Sequence, residues 1–293
     1  MMRTTLFLAL LVSLATESPA QAGKAAFDEG LRLMRVNKAD AAEKQFERAV
    51  AADPKNGTYH LWLGNAVGQQ TTTASTVRQP FMARRVKAEF ERAVALDPEL
   101  LDARDGLIQF YLMAPGFMGG SDAKAREQQR EIAKRNAFRG HLAAATVAWA
   151  GKDTLGTERA MRAAIAAAPD SARTVITLAQ RQAGWGRVPA AFATLDEWLA
   201  RYPRDIAVRF QIGRLAAGSG QQLERGETLL RDLIAEPEWE STNLRPSKAA
   251  VHYRLGMVLE KSGKKPDAKL SYERAVALDP QLKPAKDALA ALR

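Results

Sequence analysis

The chain writes nearly the same nine-residue phrase three times: FERAVAADP at 46–54, FERAVALDP at 90–98 and YERAVALDP at 272–280. Copies so alike and so far apart point to a structural unit built repeatedly along the chain. Measured back from the closing proline, the same residue classes return. Phe46, Phe90, Met161, Leu195 and Tyr272 stand eight residues before Pro54, Pro98, Pro169, Pro203 and Pro280. Ala49, Ala93, Ala164, Trp198 and Ala275 stand five before the same prolines, and Pro169, Pro203 and Pro237 are spaced 34 residues apart. Nine to ten residues past the proline comes an apolar–small pair: Leu63–Gly64, Leu178–Ala179 and Ile212–Gly213, with Leu255–Gly256 in the last copy.

A period of this length suits two antiparallel helices of three or four turns joined by tight connections. Small residues let the two axes approach, large apolar ones fill the space between them at about 8–10 Å, and the proline stops the second helix. One such pair cannot cover its own apolar face, so neighbours must stack in series.

The pattern resembles the tetratricopeptide repeat, whose 34-residue motif carries an aromatic at position 4, Leu-Gly at 7 and 8, Tyr at 11, Ala at 20, an aromatic at 24, Ala at 27 and Pro at 32. The resemblance covers nearly the whole chain after residue 22. It implies an all-α fold: a right-handed α-solenoid of about seven helix-turn-helix repeats at 23–56, 57–100, 101–137, 138–171, 172–205, 206–248 and 249–282, with 283–293 as a C-terminal capping helix. The second unit carries extra residues between its helices, around QQTTTASTVRQP. Another insertion follows the sixth, around EWESTNLRPSK. The third unit departs most: its second helix, expected over 121–137, lacks both the aromatic and the proline.

The first 22 residues read as a separate object. Arg3, an apolar run from Leu6 to Ala15, and the small residues Ala20 and Ala22 fit a secretory signal peptide over 1–22, cut before Gly23. The run is too short to span a bilayer, so no stable membrane span is expected after cleavage. The expected location is outside the cytoplasm, periplasmic or secreted. With no cysteine in the chain, disulfides, thiol chemistry and lipid attachment at a cysteine are excluded. Apolar residues make up 46% of the chain, which argues against disorder. The net charge of +10 attracts anionic partners at long range without specifying nucleic acid, which export also disfavours.

Signs of chemistry are few. His60, His141 and His252 all fall at repeat position 4 of separate units, so packing roles are expected and no shared metal site. The glycine-rich stretch APGFMGGS at 114–121 lacks the Lys-Ser/Thr ending of a phosphate loop. It reads as a long turn, with Ser121 or Asp122 capping the next helix and Phe117 and Met118 against a neighbour or on a binding surface. Glu131 and Arg135 are spaced for a pair on a solvated helix face. No nucleophile elbow or paired-carboxylate setting occurs, so neither enzyme activity nor a cofactor is expected.

In the family, the first helix of each repeat lines a concave groove through positions 2, 5, 9, 12 and 13. Carried over, this implies a partner-binding groove of Phe27 and Leu31 in unit one, Leu61 and Asn65 in unit two, Gln109 and Leu112 in unit three, and Arg139, Leu142 and Trp149 in unit four. Units five to seven add Arg173 and Ile176, Phe210 and Arg214, and Tyr253 and Met257. The arginines could pair with partner carboxylates. The family's carboxylate clamp is absent, because Leu61 stands where it needs Lys and Gly106 interrupts the next unit. The reading that results is a non-catalytic scaffold or adaptor of the cell envelope that holds a protein or peptide. A basic polyanion or cell-surface binder and an accessory module of an envelope enzyme complex are the alternatives, and self-association through the terminal units stays open.

Overall fold

A computed structural model of the chain describes residues 18–71 and 73–292. Among these residues the backbone forms fifteen α-helices and no strand, an all-α repeat solenoid. They fall into two compact units that divide between Thr157 and Glu158. The first holds α1 (Pro19–Arg35), α2 (Ala39–Ala52), α3 (Gly57–Thr71), α4 (Gln79–Leu96), α5 (Leu101–Met113), α6 (Asp122–Arg135), α7 (Ala137–Ala150) and the start of α8 (Thr154–Ala167). The second holds the rest of α8, then α9 (Ala172–Gly184), α10 (Val188–Leu199), α11 (Ile206–Ser219), α12 (Leu223–Ala235), α13 (Lys248–Lys261), α14 (Lys265–Leu278) and α15 (Lys283–Ala291). From α1 to α7, and again from α9 to α15, each helix packs on the next. First helices of successive hairpins also touch: α3 with α5, α5 with α7, α9 with α11, and α11 with α13.

The recurring phrase has two physical jobs. Its aromatic closes the hairpin against a glycine of the preceding helix. A methyl group added to Gly30 would sit 2.5 Å from the Phe46 ring, one on Gly64 2.8 Å from Phe90, and one on Gly213 2.5 Å from Leu230, while at Gly256 the Tyr272 ring leaves no more room. Phe46, Leu230 and Tyr272 are fully buried in consequence, as are the alanines Ala42, Ala49, Ala93, Ala268 and Ala275 that let the axes close up. The Asp-Pro ending makes the turn. Asp53, Asp97 and Asp279 end their helices in nearly the same extended conformation, φ −144°, −137° and −140°, as a residue before proline must. Each carboxylate then accepts the N–H two residues on, from Lys55, Glu99 and Gln281 at 3.1, 3.0 and 2.9 Å.

The irregular third hairpin uses other means. Ser121 caps α6 by accepting the Lys124 N–H, and α6 buries Ile132 in place of an aromatic. Asn136 replaces the proline: extended at φ −147°, it ends α6 and caps α7 by accepting the Arg139 N–H at 2.9 Å. The expected pair of Glu131 with Arg135 forms at 2.9 Å.

Repeat position 4 holds a polar pin where a packing aromatic is usual. His60 faces the Pro54 carbonyl at 3.1 Å and the Glu89 carboxylate at 2.6 Å. Arg104 donates to the Pro98 carbonyl at 3.2 Å and to Gln128 at 2.8 Å. Arg209 pairs with Glu236. All three are buried, and each ties a first helix to its own second helix or that helix's end. The later insertion, residues 236–247, is tied down in the same spirit. The Lys248 ammonium donates to the carbonyls of Leu233, Ile234 and Glu236 at the end of α12, and lies 4.3 Å from the Trp239 ring centre. It satisfies orphan helix carbonyls and adds a favourable charge at the helix C-terminus.

Of the leader expected over 1–22, residues 1–17 lie outside the described residues. Ala20 and Ala22 sit in the first turn of α1, behind a capping box in which Ser18 and Gln21 exchange hydrogen bonds.

In the second unit a buried network joins α8, α9 and α10. Gln182 donates to Glu158 at 2.8 Å and accepts from Thr194 at 2.8 Å, and Arg187 and Arg162 also reach the Glu158 carboxylate. Burial pushes that carboxyl up, but the hydrogen bonds from Gln182 and Arg187 outweigh it and hold it below its ordinary 4.5. Its contribution is therefore present above pH 4.5 and lost as pH falls through the lower folded value. Glu158→Gln is expected to destabilise this unit by about 1.5–3 kcal/mol at neutral pH, with the difference shrinking in acid, as read by urea unfolding at several pH values. Gly256→Ala is expected to weaken hydrogen-exchange protection of α13 and α14 by about 1–2 kcal/mol, overpacking exceeding the gain in helix propensity. Gly184→Ala, where an added methyl meets nothing within 4 Å, is expected to raise protection of α9 by up to about 1 kcal/mol.

Candidate interaction surface

In the first unit, α3 and α5 are separated by small residues. Gly64, Gly68 and Gly106 leave unfilled space above Val86 and Phe90 of α4, forming a cavity of about 690 Å³. Its polar lining includes Asn65, Gln79 and Gln109, and its far wall is the turn after α5, through Ala114, Pro115 and Met118. A second cavity of about 240 Å³ opens between α5 and α7 and shares Asp105 and Gln109 with the first.

The wall is a built feature. Residues 116–118 form one 3₁₀ turn, Gly119 takes the left-handed φ of +98°, and any side chain at Gly120 would collide with the Ala114 carbonyl. The Ser121 N–H returns to the Tyr111 carbonyl at 2.9 Å and closes the loop. Two large apolar side chains stay in solvent at this place: Met113, which lines the cavity, is 80% exposed, and Phe117 is 82% exposed. Met118 is half-buried on the lining.

The second unit carries a smaller cavity of about 360 Å³ between α9, α10 and α11, lined by Ile176, Gln180, Val188, Gln211 and Arg214. Gln180 donates to Gln211 at 3.3 Å, and Arg214 donates to the same oxygen at 3.3 Å. On α13, Arg254 lies 4.9 Å from the Tyr253 ring centre and contacts the Met257 sulfur at 3.0 Å. Burial lowers the Arg254 pKa against the opposing effect of Tyr253, and the like charge of Arg214 adds a smaller lowering. Sequence reasoning missed Arg254. The only signal was its place between two groove residues, Tyr253 and Met257.

The expected groove residues divide three ways. Gln109, Trp149, Arg173 and Arg214 are exposed; Phe27, Leu31, Asn65, Leu112, Arg139, Leu142, Tyr253 and Met257 are half-buried. Leu61, Ile176 and Phe210 are buried, at 4%, 4% and 9% exposure; Leu61 and Phe210 belong to the core rather than to an open groove, while Ile176 also borders the cavity between α9 and α11. All three stand at repeat position 5. Positions 2 and 9 are nearly two full turns apart and share one stripe, whereas position 5 lies about 60° around the helix, on the side where first helices of neighbouring hairpins pack. Phe27, also at position 5, packs its ring on Phe46 and Tyr59, with centres 5.7 and 5.0 Å away.

Arg139 is not a spare cation either. It pairs with Asp102 at 2.5 Å and with Asp105, so its charge is neutralised inside the chain. Burial raises the Asp105 carboxyl pKa in spite of the Arg139 hydrogen bond. The three histidines lie on α3, α7 and α13; His60 is the pin described above, and burial and then Arg274 and Lys248 lower the His252 pKa. Among the described residues no His, Asp and Glu side chains group to hold a metal ion, and no helix is long and apolar enough to cross a membrane.

Models of the tetratricopeptide repeat match residues 27–70 and 249–282. Among solved structures, a tetratricopeptide repeat protein from Parabacteroides merdae is similar at 14% identity over 93% of this chain and 99% of its own, with a TM-score of 0.51. Yeast Tom70 is similar at 11% identity over 98% of this chain, with a TM-score of 0.58, and the match spans 59% of the Tom70 chain. At these identities the likeness is one of fold. No functionally curated protein matches the sequence.

Proposed function

Because this chain is a tetratricopeptide repeat protein, and so a protein-interaction scaffold, we propose that it holds a peptide or helix of an envelope partner on its first-helix faces, without catalysis. The cavity between α3 and α5 carries this reading. An apolar partner side chain enters over Phe90, Val86 and Phe110, while Asn65, Gln79 and Gln109 offer amide donors and acceptors to the partner's backbone. Met113 and Phe117, apolar and left in water, gain by being covered. The 114–121 loop is thus part of the binding wall. The leader over 1–22 supports an exported location, periplasmic or secreted.

Two experiments test the reading. A methyl at Gly68 meets only Val86 atoms, at 3.8 and 4.0 Å, so Gly68→Leu is expected to fill the cavity while leaving the fold as stable or more so. Photoreactive groups at Met113 and Gln109 are expected to crosslink one partner in cells, and Gly68→Leu and Met113→Asp to weaken that partner's affinity by about tenfold or more, roughly 1.4 kcal/mol. Unchanged affinity in both variants would remove the cavity from the account. For the location, N-terminal sequencing of the protein from its native cells is expected to begin at Gly23; a chain that keeps residues 1–22 would move it out of the envelope.

A further inference from the structure

The second unit has another groove, on its second helices rather than its first. α12 and α14 form the walls and α13 the floor of an open cavity of about 670 Å³. Ile234 and Ala235 on α12, Leu270 and Ala277 on α14, and Leu255 on α13 make it apolar. It shares no lining residue with the α9–α11 cavity. The walls are fixed before anything binds. Glu227 on α12 bonds Lys264 at the start of α14 at 2.9 Å and Arg231 on its own helix at 3.0 Å, pinning the two walls together near one end. Burial raises the Glu227 carboxyl pKa, but the hydrogen bonds from Lys264 and Arg231 bring it below its ordinary range.

Two features ask for a particular occupant. Leu270 is 67% exposed on the groove edge, a large aliphatic side chain that the fold does not use. Of the charged side chains that line it, Arg231 on one wall already pairs with Glu227, Glu273 and Arg274 stand on the other, and burial and neighbouring cations lower the pKa of His252 on the floor. Arg274 is exposed and makes no ion pair among the described residues. Lining residues recur at three- and four-residue spacing, 231, 234 and 235 on one wall and 270, 274 and 277 on the other. The α14 wall thus runs about two helical turns, roughly 10 Å, and the α12 wall about one turn, roughly 6 Å.

We propose that this groove docks an amphipathic helix of a partner protein, its apolar ridge lying between α12 and α14 and a flanking Asp or Glu carboxylate meeting Arg274. A helix fits because both walls are helices, and its i, i+4, i+7 ridge matches the spacing of Leu270, Arg274 and Ala277 on the α14 wall. Acidic flanks fit because Arg274 stands without a carboxylate and guanidinium–carboxylate pairs are the strong ones. A second copy of this chain fits poorly, because a net charge of +10 repels its like. The site is independent of the cavity between α3 and α5.

The test uses the full chain and a fluorescein-labelled synthetic helix with leucines at i, i+4 and i+7 flanked by glutamates, read by anisotropy. Saturable binding is expected, about tenfold weaker when the glutamates are replaced by lysines and about tenfold weaker for Arg274→Glu and for Leu270→Asp. Both changed side chains are exposed, so circular dichroism is expected to be unchanged. Gly68→Leu serves as the control and is expected to bind the peptide normally. Equal binding of the glutamate and lysine peptides, no saturable binding at all, or no effect of Arg274→Glu would overturn the proposal. So would a self-associated chain that Leu270→Asp returns to monomer, which would assign the groove to a second copy. Phosphatidylglycerol vesicles bound through Arg274 while the peptide is not would overturn it as well.

Discussion

The contact on which the hairpins depend is a glycine of the first helix against a large side chain of the second. Gly30 on Phe46, Gly64 on Phe90, Gly213 on Leu230 and Gly256 on Tyr272 set the depth to which two helices sink into each other. A Cβ there forces ring or backbone aside, because close-packed interiors leave no slack for a methyl. Once the depth is set, the alanines at the remaining contacts follow from the narrow axis separation, and the buried aromatic follows from the need to fill what the glycine leaves. The Asp-Pro turn completes the unit by stopping the second helix at one place and in one direction. Selection for that geometry at each hairpin is enough to explain why the chain rewrites the same phrase.

The same small residues that allow close packing also create the opening. Gly64 and Gly106 both abut the Phe90 ring, and both line the cavity between α3 and α5. With no side chains to project from these points, the space between the two first helices stays unfilled. Fold and candidate site therefore share residues, and a change that blocks the site need not harm the fold. Gly68 shows where the two roles separate, since it lines the cavity without contacting a ring.

Much of the architecture was legible because the repeat is written in residue sizes. The hairpin phase, the capping role of Ser121 and the Glu131–Arg135 pair all rest on local spacing, which sequence carries directly. What failed was the assignment of faces. Leu61 and Phe210 were expected in an open groove, yet they are core, because a single 60° step around a helix separates the solvent stripe from the seam between neighbours. Arg139 was expected to await a partner, yet Asp102 and Asp105 of α5 already hold it. Those carboxylates lie more than thirty residues away in sequence, and only stacking brings them near. The polar pins at position 4 were invisible for a related reason. His60 looked like an aromatic stand-in, yet its partners are a carbonyl six residues back and a carboxylate on the following helix, and Arg104 at the same repeat position makes the matching bonds to a carbonyl and an amide.

Charge is distributed in a way that the total of +10 conceals. On the α5 and α7 faces the guanidinium of Arg139 is cancelled by two carboxylates, so an approaching partner meets amides and apolar surface. On the α11 and α13 faces Arg214 donates to an amide oxygen and Arg254 contacts a thioether rather than a carboxylate, and the charge of Arg214 adds to the cost of ionising the half-buried Arg254. Desolvating a compensated pair adds little to binding, whereas an unpaired, half-buried guanidinium gains a strong charge-assisted bond from any carboxylate that reaches it. The two units thus differ in what they offer a carboxylate: a guanidinium already compensated in the first, and Arg254, with no ion pair among the described residues, in the second.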